Sequence, residues 1–528
     1  MSRHMHRRRA ACATAVCLGA AALLAHGPAH AQSELPQQTA SGTTASTKPR
    51  LWIEPSLQVQ AAVNHRAEGG GFKFPLADRT GAEVQVSPGL RVVGDLPKAR
   101  FSVDYVLTGA TRSRHLSDAE TYHRLNSLGQ FELADNTLFL DVQAQAARQA
   151  VSALGAPFQS TGSDANQAQT WSGQLSPYVK GTLPGQVNAL LRHTVGVVGS
   201  DAANRADTTT HQTALNLGRQ VGTSLGWAVD VQHQTLARDL NLDDTSLSSA
   251  NATVSYAVAS RWLARVSAGA ESTDRIEGVS TRYTNWGLGL EWKPSGQAVV
   301  GADVGRRYFG NYHDVRLEWR GPRSSVRFSD TRDVVDTPEN SVTQSVGTLY
   351  QLFDTLLASE LEDPVARAQA VEALLRQNGL TGDELVQRSF LYSQSTVQRT
   401  RTVSVLWSRP RQSLGFNVSH ADVRRLQKQR FTAGDDLDVL SSVRTLNWNV
   451  LFTHRLTPRM SVSVSHARSR PLGDEAAVGA SSQSTQVGLN AALGARTSGS
   501  VQLRHTSNKS SVSPYAETAL VGNLLHRF

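Results

Sequence analysis

The chain has 528 residues, a formal net charge of +9, 39% hydrophobic residues and a negative mean hydropathy. Four of the positive charges are arginines in the first nine residues, and the rest form no clustered basic face, which argues against a nucleic-acid partner. Both cysteines, Cys12 and Cys17, also lie near the start, so the remainder can hold no disulfide, thiolate nucleophile or cysteine-based zinc site.

Arg3 and Arg7 to Arg9 precede a short apolar stretch, Ala10 to Ala25, and Ala29-His30-Ala31 supplies small residues at a cleavage position. Residues 1–31 therefore read as a secretory signal peptide, cut before Gln32. Residues 32–50, rich in Ser, Thr, Gln and Ala, read as a flexible periplasmic tail. Nothing beyond residue 31 is apolar for long enough to cross a bilayer as a helix, so membrane crossing requires a closed barrel that satisfies its own backbone.

From Leu51 the chain alternates with period two. Val84, Val86, Leu90 and Val92 oppose Glu83, Gln85, Ser87 and Arg91. Past Pro97, Phe101, Val103, Tyr105 and Leu107 oppose Ser102, Asp104 and Thr108. Trp286, Leu288, Leu290 and Trp292 oppose Gly287, Gly289 and Glu291, and Val300, Ala302 and Val304 oppose Gly301, Asp303 and Gly305. Near the end, Leu446, Trp448, Val450 and Phe452 oppose Asn447 and Asn449. An apolar face toward lipid and a polar face toward a lumen is the membrane-barrel pattern.

Short links recur near 94–98, 134–137, 182–186, 219–224, 259–262, 293–297, 320–324, 408–412, 455–459 and 494–499. Longer polar stretches, such as 66–80, 148–169, 235–247, 421–438 and 467–482, lie between them. Short periplasmic turns and long outer loops give an all-β fold: a transmembrane antiparallel up-and-down β-barrel of about 22 strands spanning 51–528. Phe101, Trp227, Trp262, Trp292, Trp319 and Trp407 cluster beside the short links, as a membrane-interface girdle would. Leu524 and the terminal Phe528, on one face with Leu520, Gly522 and His526, resemble the signal read by barrel-assembly machinery.

Residues 332–396 break the strand pattern. Leu349, Leu352, Phe353, Leu356 and Leu357 fall at helical spacing, Asp363-Pro364 suits a helix start, and Ala368, Val371, Leu374 and Leu375 continue a stripe to Asn378-Gly379. This helical loop insertion either enters the lumen or caps the rim. Other motifs carry less. Gly222-Thr223-Ser224-Leu225-Gly226 matches a hydrolase serine elbow but sits between strands with no helix to follow. Asp239, Asn241 and Asp243 open like a calcium loop but lack its glycine and closing glutamate.

Trp52-Ile53-Glu54-Pro55-Ser56, Val86-Ser87-Pro88-Gly89-Leu90, Val103-Asp104-Tyr105, His123-Arg124-Leu125-Asn126 with Leu138-Phe139-Leu140-Asp141, and the Asp363-Pro364 insertion resemble a known family along most of the chain. That family comprises outer-membrane barrels associated with the PEP-CTERM/exosortase sorting system and exopolysaccharide loci. The resemblance implies a barrel encoded beside polysaccharide export genes and supplies no catalytic residues.

The expected function is a non-enzymatic channel or scaffold in the outer membrane, without cofactor or metal. Expected partners are outer-membrane lipid, barrel-assembly machinery and, through the resemblance, polysaccharide and envelope export components. A surface adhesion barrel binding matrix through its long loops is the alternative. Candidate pore-lining residues are Arg91, Asp104, Asp141, Lys180, Arg192, Asp230, Arg265, Glu291, Asp303, Arg307, Arg316, Glu318 and Arg327. Their mixed signs point to no simple charge selectivity, and a neutral or hydrated solute fits them better than a single class of ion.

Overall fold

A computed structural model describes residues 50–528 apart from 69–78, 114–119, 153–165, 204, 222–223, 240–242, 337–349, most of 351–394, 428–435, 474–480 and 510–513. The signal segment and the tail at 32–49 lie outside the described residues, as do Leu349, Leu352, Phe353, Leu356, Leu357, Asp363, Pro364, Leu374 and Leu375.

Period-two segments become strands because alternation lets each one present a single chemistry to each side. In order they are β1 (Arg50–Glu68), β2 (Arg79–Leu96), β3 (Ala99–Arg112), β4 (Glu120–Ala134), β5 (Leu138–Ala150) and β6 (Gln167–Leu183). Next come β7 (Val187–Ser200), β8 (Thr208–Val221), β9 (Leu225–Arg238), β10 (Thr245–Ala259), β11 (Trp262–Thr273) and β12 (Thr281–Ser295). Then follow β13 (Ala298–Arg307), β14 (Gly310–Gly321), β15 (Ser324–Val335), β16 (Thr396–Arg409) and β17 (Gln412–Arg425). The last are β18 (Ser442–Thr457), β19 (Met460–Pro471), β20 (Ser481–Ala492), β21 (Thr497–Lys509) and β22 (Tyr515–Arg527).

Each strand pairs antiparallel with its chain neighbours, and β22 returns to β1 in the register Ser56↔Arg527 to Ala67↔Ala516. The result is one closed 22-stranded sheet. Closure leaves no edge, so every strand has a partner on both sides. The links at one end are short and coincide with those expected from the sequence. Register shifts at Glu132/Ala134, Ala257/Ala259, Trp292/Ser295 and Arg455/Thr457 all fall at this end. Bulges there bend strands into their turns at the rim. In the turn after β6, Gly185 and Gln186 both take positive φ, 81° and 61°, a cost that glycine escapes and glutamine does not.

The opposite end carries the long connections, with one exception. β13 and β14 are joined by Tyr308 and Phe309 alone, with Gly310 at φ 103°. Close by, Leu247, Tyr308, Val397 and Leu426 pack together with Ile276, Tyr283, Phe309 and Val334 around them. The insertion is also shorter than the sequence suggests. Arg332 to Val335 and Thr396 pair as strand, so the break runs from 336 to 395. The alternation of Arg332 and Val334 with Asp333 and Val335 carries the ladder further than the loss of apolar residues implies. Within the insertion, Tyr350, Asp354, 366–368, 370 and 371 are helical, Arg367 bonds Asp354 at 2.8 Å, and Val371 has no exposed surface.

Candidate lumenal site

Register assigns every strand residue to one of two faces. Leu57, Val59 and Val63 of β1 share a face with Val84, Val86 and Leu90 of β2, and all are exposed. The same face continues through Val231, Val254, Val266, Leu288, Val304, Leu317, Val464 and Leu489. An apolar exposed face around a closed sheet is its outer surface. The other face looks into the lumen.

All of the candidate pore-lining residues fall on the inner face. Arg91, Asp104, Asp141, Lys180, Arg192 and Asp230 lie there by register with Glu54, Asn126, Ser176, Leu190, Ala214 and Asn251. Arg265, Glu291, Asp303, Arg307, Arg316, Glu318 and Arg327 form the inner face of β11 to β15. Most of these charges meet a partner of opposite sign. Arg192 donates to Asp141 at 2.7 Å and lies over the Tyr178 ring at 4.2 Å. Arg265 reaches Asp303 at 3.1 Å and Glu291 at 3.7 Å, and Arg316 reaches Glu291 at 2.8 Å. Arg307 binds Glu271 and Asp333, and Arg327 stands 3.5 Å from Glu318. Asp230 accepts from Asn216, and Lys180 lies over the Phe139 ring.

Inward glycines make room for this wall. A Cβ at Gly289 would overlap the Asp303 carboxylate, and one at Gly301 would stand 2.9 Å from Arg316 Nε. Alternating Gly with Val or Leu in β12 and β13 thus sets long charged groups over bare backbone.

Beyond the charged wall the inner face turns uncharged. Ser404, Asn417, Ser419, Asn447 and Asn449 follow one another across β16 to β18, and Asn490 continues the pattern on β20. All are buried, Asn417 completely. Ser404 donates to Asn417 at 2.8 Å, but the Asn447 amide and the side-chain oxygens of Asn449 and Asn490 have no protein partner among the described residues. Buried amides of this kind demand hydrogen-bonding company. Alternation along β18 puts Asn447 and Asn449 on the polar face but does not reveal that they belong to a continuous neutral strip.

On the outer face, Trp227, Trp262, Trp292, Trp319 and Trp407 stand near the short turns, with Trp262 and Trp292 stacked at 5.2 Å. Phe101 differs from the expected girdle ring: it is 6% exposed, lying over Gly94 and beside Phe131. Glycine at 94 leaves a flat patch into which the ring settles. Trp171, Trp286 and Trp448 form a further outer set toward the long loops, which proximity to the short turns does not identify. Trp52 faces inward with Arg91 near its ring. Leu524, His526 and Phe528 share the outer face, and His526 packs edge-on against Phe528.

Outer-face histidines bond across strands to hydroxyls, as His193 does with Thr213, His233 with Ser248, His466 with Thr485 and His505 with Thr518, at 2.8–2.9 Å. Each pairing satisfies an imidazole nitrogen within the ladder.

At the long-loop end, the Ser152 hydroxyl after β5 donates to Asp436 before β18 at 2.7 Å. Those strands lie on opposite sides of the ring, so the contact spans the mouth. Arg275, 1% exposed, bonds Asp336 at 2.8 Å beside Tyr308, and burial pushes the Tyr308 phenol up to about 12. Ser224 leads directly into β9. Asp239 accepts from the Asp207 N–H and Asp244 from the Arg238 N–H.

No family model and no curated protein matches the sequence. Solved structures with a similar course include the siderophore receptor PirA from Pseudomonas aeruginosa, at 9% identity and TM-score 0.41 over 89% of this chain and 80% of that one. The FrpB iron transporter from Neisseria meningitidis matches at 8% and 0.48, covering 89% and 81%. A variant of the ferric enterobactin receptor PfeA from Pseudomonas aeruginosa matches at 10% and 0.45, covering 89% and 81%. Likeness at this level carries neither ligand nor mechanism to this chain.

Proposed function

We propose that this protein is a non-enzymatic barrel of a Gram-negative outer membrane that conducts or holds a neutral, hydroxyl-rich solute. The class that fits is a carbohydrate chain in transit through the envelope, in keeping with the resemblance to exopolysaccharide- and PEP-CTERM-associated barrels. The observation that carries this reading is the composition of the inner face. Its charges neutralise one another in pairs, and its neutral strip presents amides short of partners. Paired charges select strongly for neither cations nor anions, whereas amides suit hydroxyl donors and acceptors. On this reading the outer apolar belt meets lipid, Phe528 and Leu524 engage barrel-assembly machinery, and export components are the envelope partners.

Reconstitution into liposomes tests it. Swelling in neutral oligosaccharides should exceed swelling in charged solutes of equal size, and deletion of 337–394 should enlarge the difference. Absence of both swelling and bilayer conductance, with and without the insertion, would overturn the channel reading.

A further inference from the structure

Among the described residues, strand carboxylates face the lumen with two exceptions, Asp330 and Asp422. Both lie on the outer face toward the long loops, and both are surrounded by arginine. Across β14 to β18, His313, Arg332, Arg399, Asp422 and Arg444 are successive register partners. In the row below, Asp330 pairs with Arg401, which pairs with His420, and Arg470 follows across Leu446. Arg399 bonds Asp330 at 2.6 and 2.9 Å, Arg401 bonds it at 3.2 Å, and Arg424 bonds Asp422 at 2.7 Å. Arg468 stands opposite Trp448, one row further down.

Arginine on this patch thus outnumbers carboxylate by more than three to one. Arg332 and Arg399 are direct register partners. Arg399 turns to Asp330, whereas Arg332 turns to the Asn311 carbonyl and the Phe309 ring and bonds no carboxylate among the described residues, so its charge stays uncompensated. Immediately below, the outer face becomes apolar: Phe328, Val403 and Val418 in one row, then Val326, Val405 and Phe416. Five strands at about 4.8 Å and two rows about 7 Å apart give a basic area the size of a lipid headgroup rather than of a small ion. Guanidinium forks match phosphate oxygens two at a time, and several forks in one plane can hold more than one phosphate.

We propose that this patch binds the phosphate groups of an anionic glycolipid of the outer leaflet, whose acyl chains lie along the apolar rows beneath. This inference rests on the membrane reading above. The lipid, rather than free phosphate, is the occupant because the basic rows sit directly on an apolar outer surface.

The test uses the full-length protein folded in detergent, with bisphosphorylated lipid A, its dephosphorylated form and inorganic phosphate as probes and native mass spectrometry as readout. Arg332→Gln, Arg444→Gln and Arg470→Gln are combined, leaving the bonds to Asp330 and Asp422 in place. Lipid A binding should fall at least tenfold in the triple variant, while the dephosphorylated lipid binds wild type and variant equally weakly. The triple Lys variant should retain intermediate binding. Heat-modifiable gel migration shows which variants are folded, and if the Gln triple does not fold, Arg470→Gln alone should still weaken binding severalfold.

Unchanged affinity in the folded variants, or equal binding of the dephosphorylated lipid, overturns the proposal. Inorganic phosphate bound as tightly as lipid A overturns the choice of a lipid. Failure of the wild-type protein to insert into vesicles would sink the membrane reading itself, whereas insertion without phosphate preference would sink this inference alone.

Discussion

Arg265 and Asp303 reach each other across an entire intervening strand because the residue between them is Gly289. Gly289 is the register partner of both, and its missing side chain lets the guanidinium and carboxylate close to 3.1 Å over bare backbone. Gly289→Val should therefore cost stability through crowding, by about 1–3 kcal/mol. Urea unfolding in detergent micelles measures this, and a loss no larger than that of a lumenal Ser→Ala control would show that the pair does not need the gap.

On the proposed channel reading, the same wall sets charge selectivity. Combined Arg265→Ala and Arg316→Ala would strip guanidinium from Asp303 and leave Glu291 with Lys293. A nearly unselective pore should then favour cations, shifting the reversal potential in a salt gradient toward the cation equilibrium value. No shift would place these residues outside the conducting path.

Ser152 and Asp436 touch across the mouth although they are 284 positions apart in the chain. Cysteines at both positions should be joined by a short bifunctional methanethiosulfonate cross-linker, because the contact holds the two side chains against each other. Cross-linking should reduce conductance, and reductant should restore it. A bridge that forms without changing conductance would show that the mouth contact is incidental to passage.

The natural chain has only Cys12 and Cys17, so single cysteines can map the two faces. Ser329→Cys and Ser255→Cys lie on the inner face, Ala252→Cys and Ala302→Cys on the outer. A membrane-impermeant maleimide should label the inner pair in vesicles several times faster than the outer pair. Asn417→Cys, wholly buried in the neutral strip, should label more slowly than either inner serine position.

Tyr308 provides a pH readout at the long-loop end. Burial is the main cause of its raised value, about 12 against an ordinary 10, and the Asp336 carboxylate adds to it. The folded state favours the neutral phenol, so its contribution is complete below pH 10 and lost as pH rises toward 12. The loss should reach about 2 kcal/mol. Tyr308→Phe should remove that part of the alkaline decline, as followed by urea midpoints between pH 9 and 12.

Much of this architecture is legible in the residue pattern alone. Alternation at β12, Trp286 to Trp292 against Gly287 to Glu291, fixes which residues share the outer face, because side-chain direction in a strand has period two whatever the neighbours. Short links mark one rim because a hairpin turn needs few residues. Phe101 departs from the expected girdle because its burial depends on Gly94 in the next strand, which spacing along one strand does not reveal. The insertion departs from its expected limits because pairing, rather than hydrophobicity, holds Arg332 to Val335 in the ladder.

By itself, then, the sequence determined the strand pattern, the ten short turns and the face taken by each charged candidate, since these follow from local geometry repeated along the chain. Only the tertiary structure decided which charges neutralise one another, which loops meet across the mouth, and that arginines from five strands lie side by side on the outer surface. Those relations join residues tens to hundreds of positions apart, and closure of the sheet and its register are what bring them together.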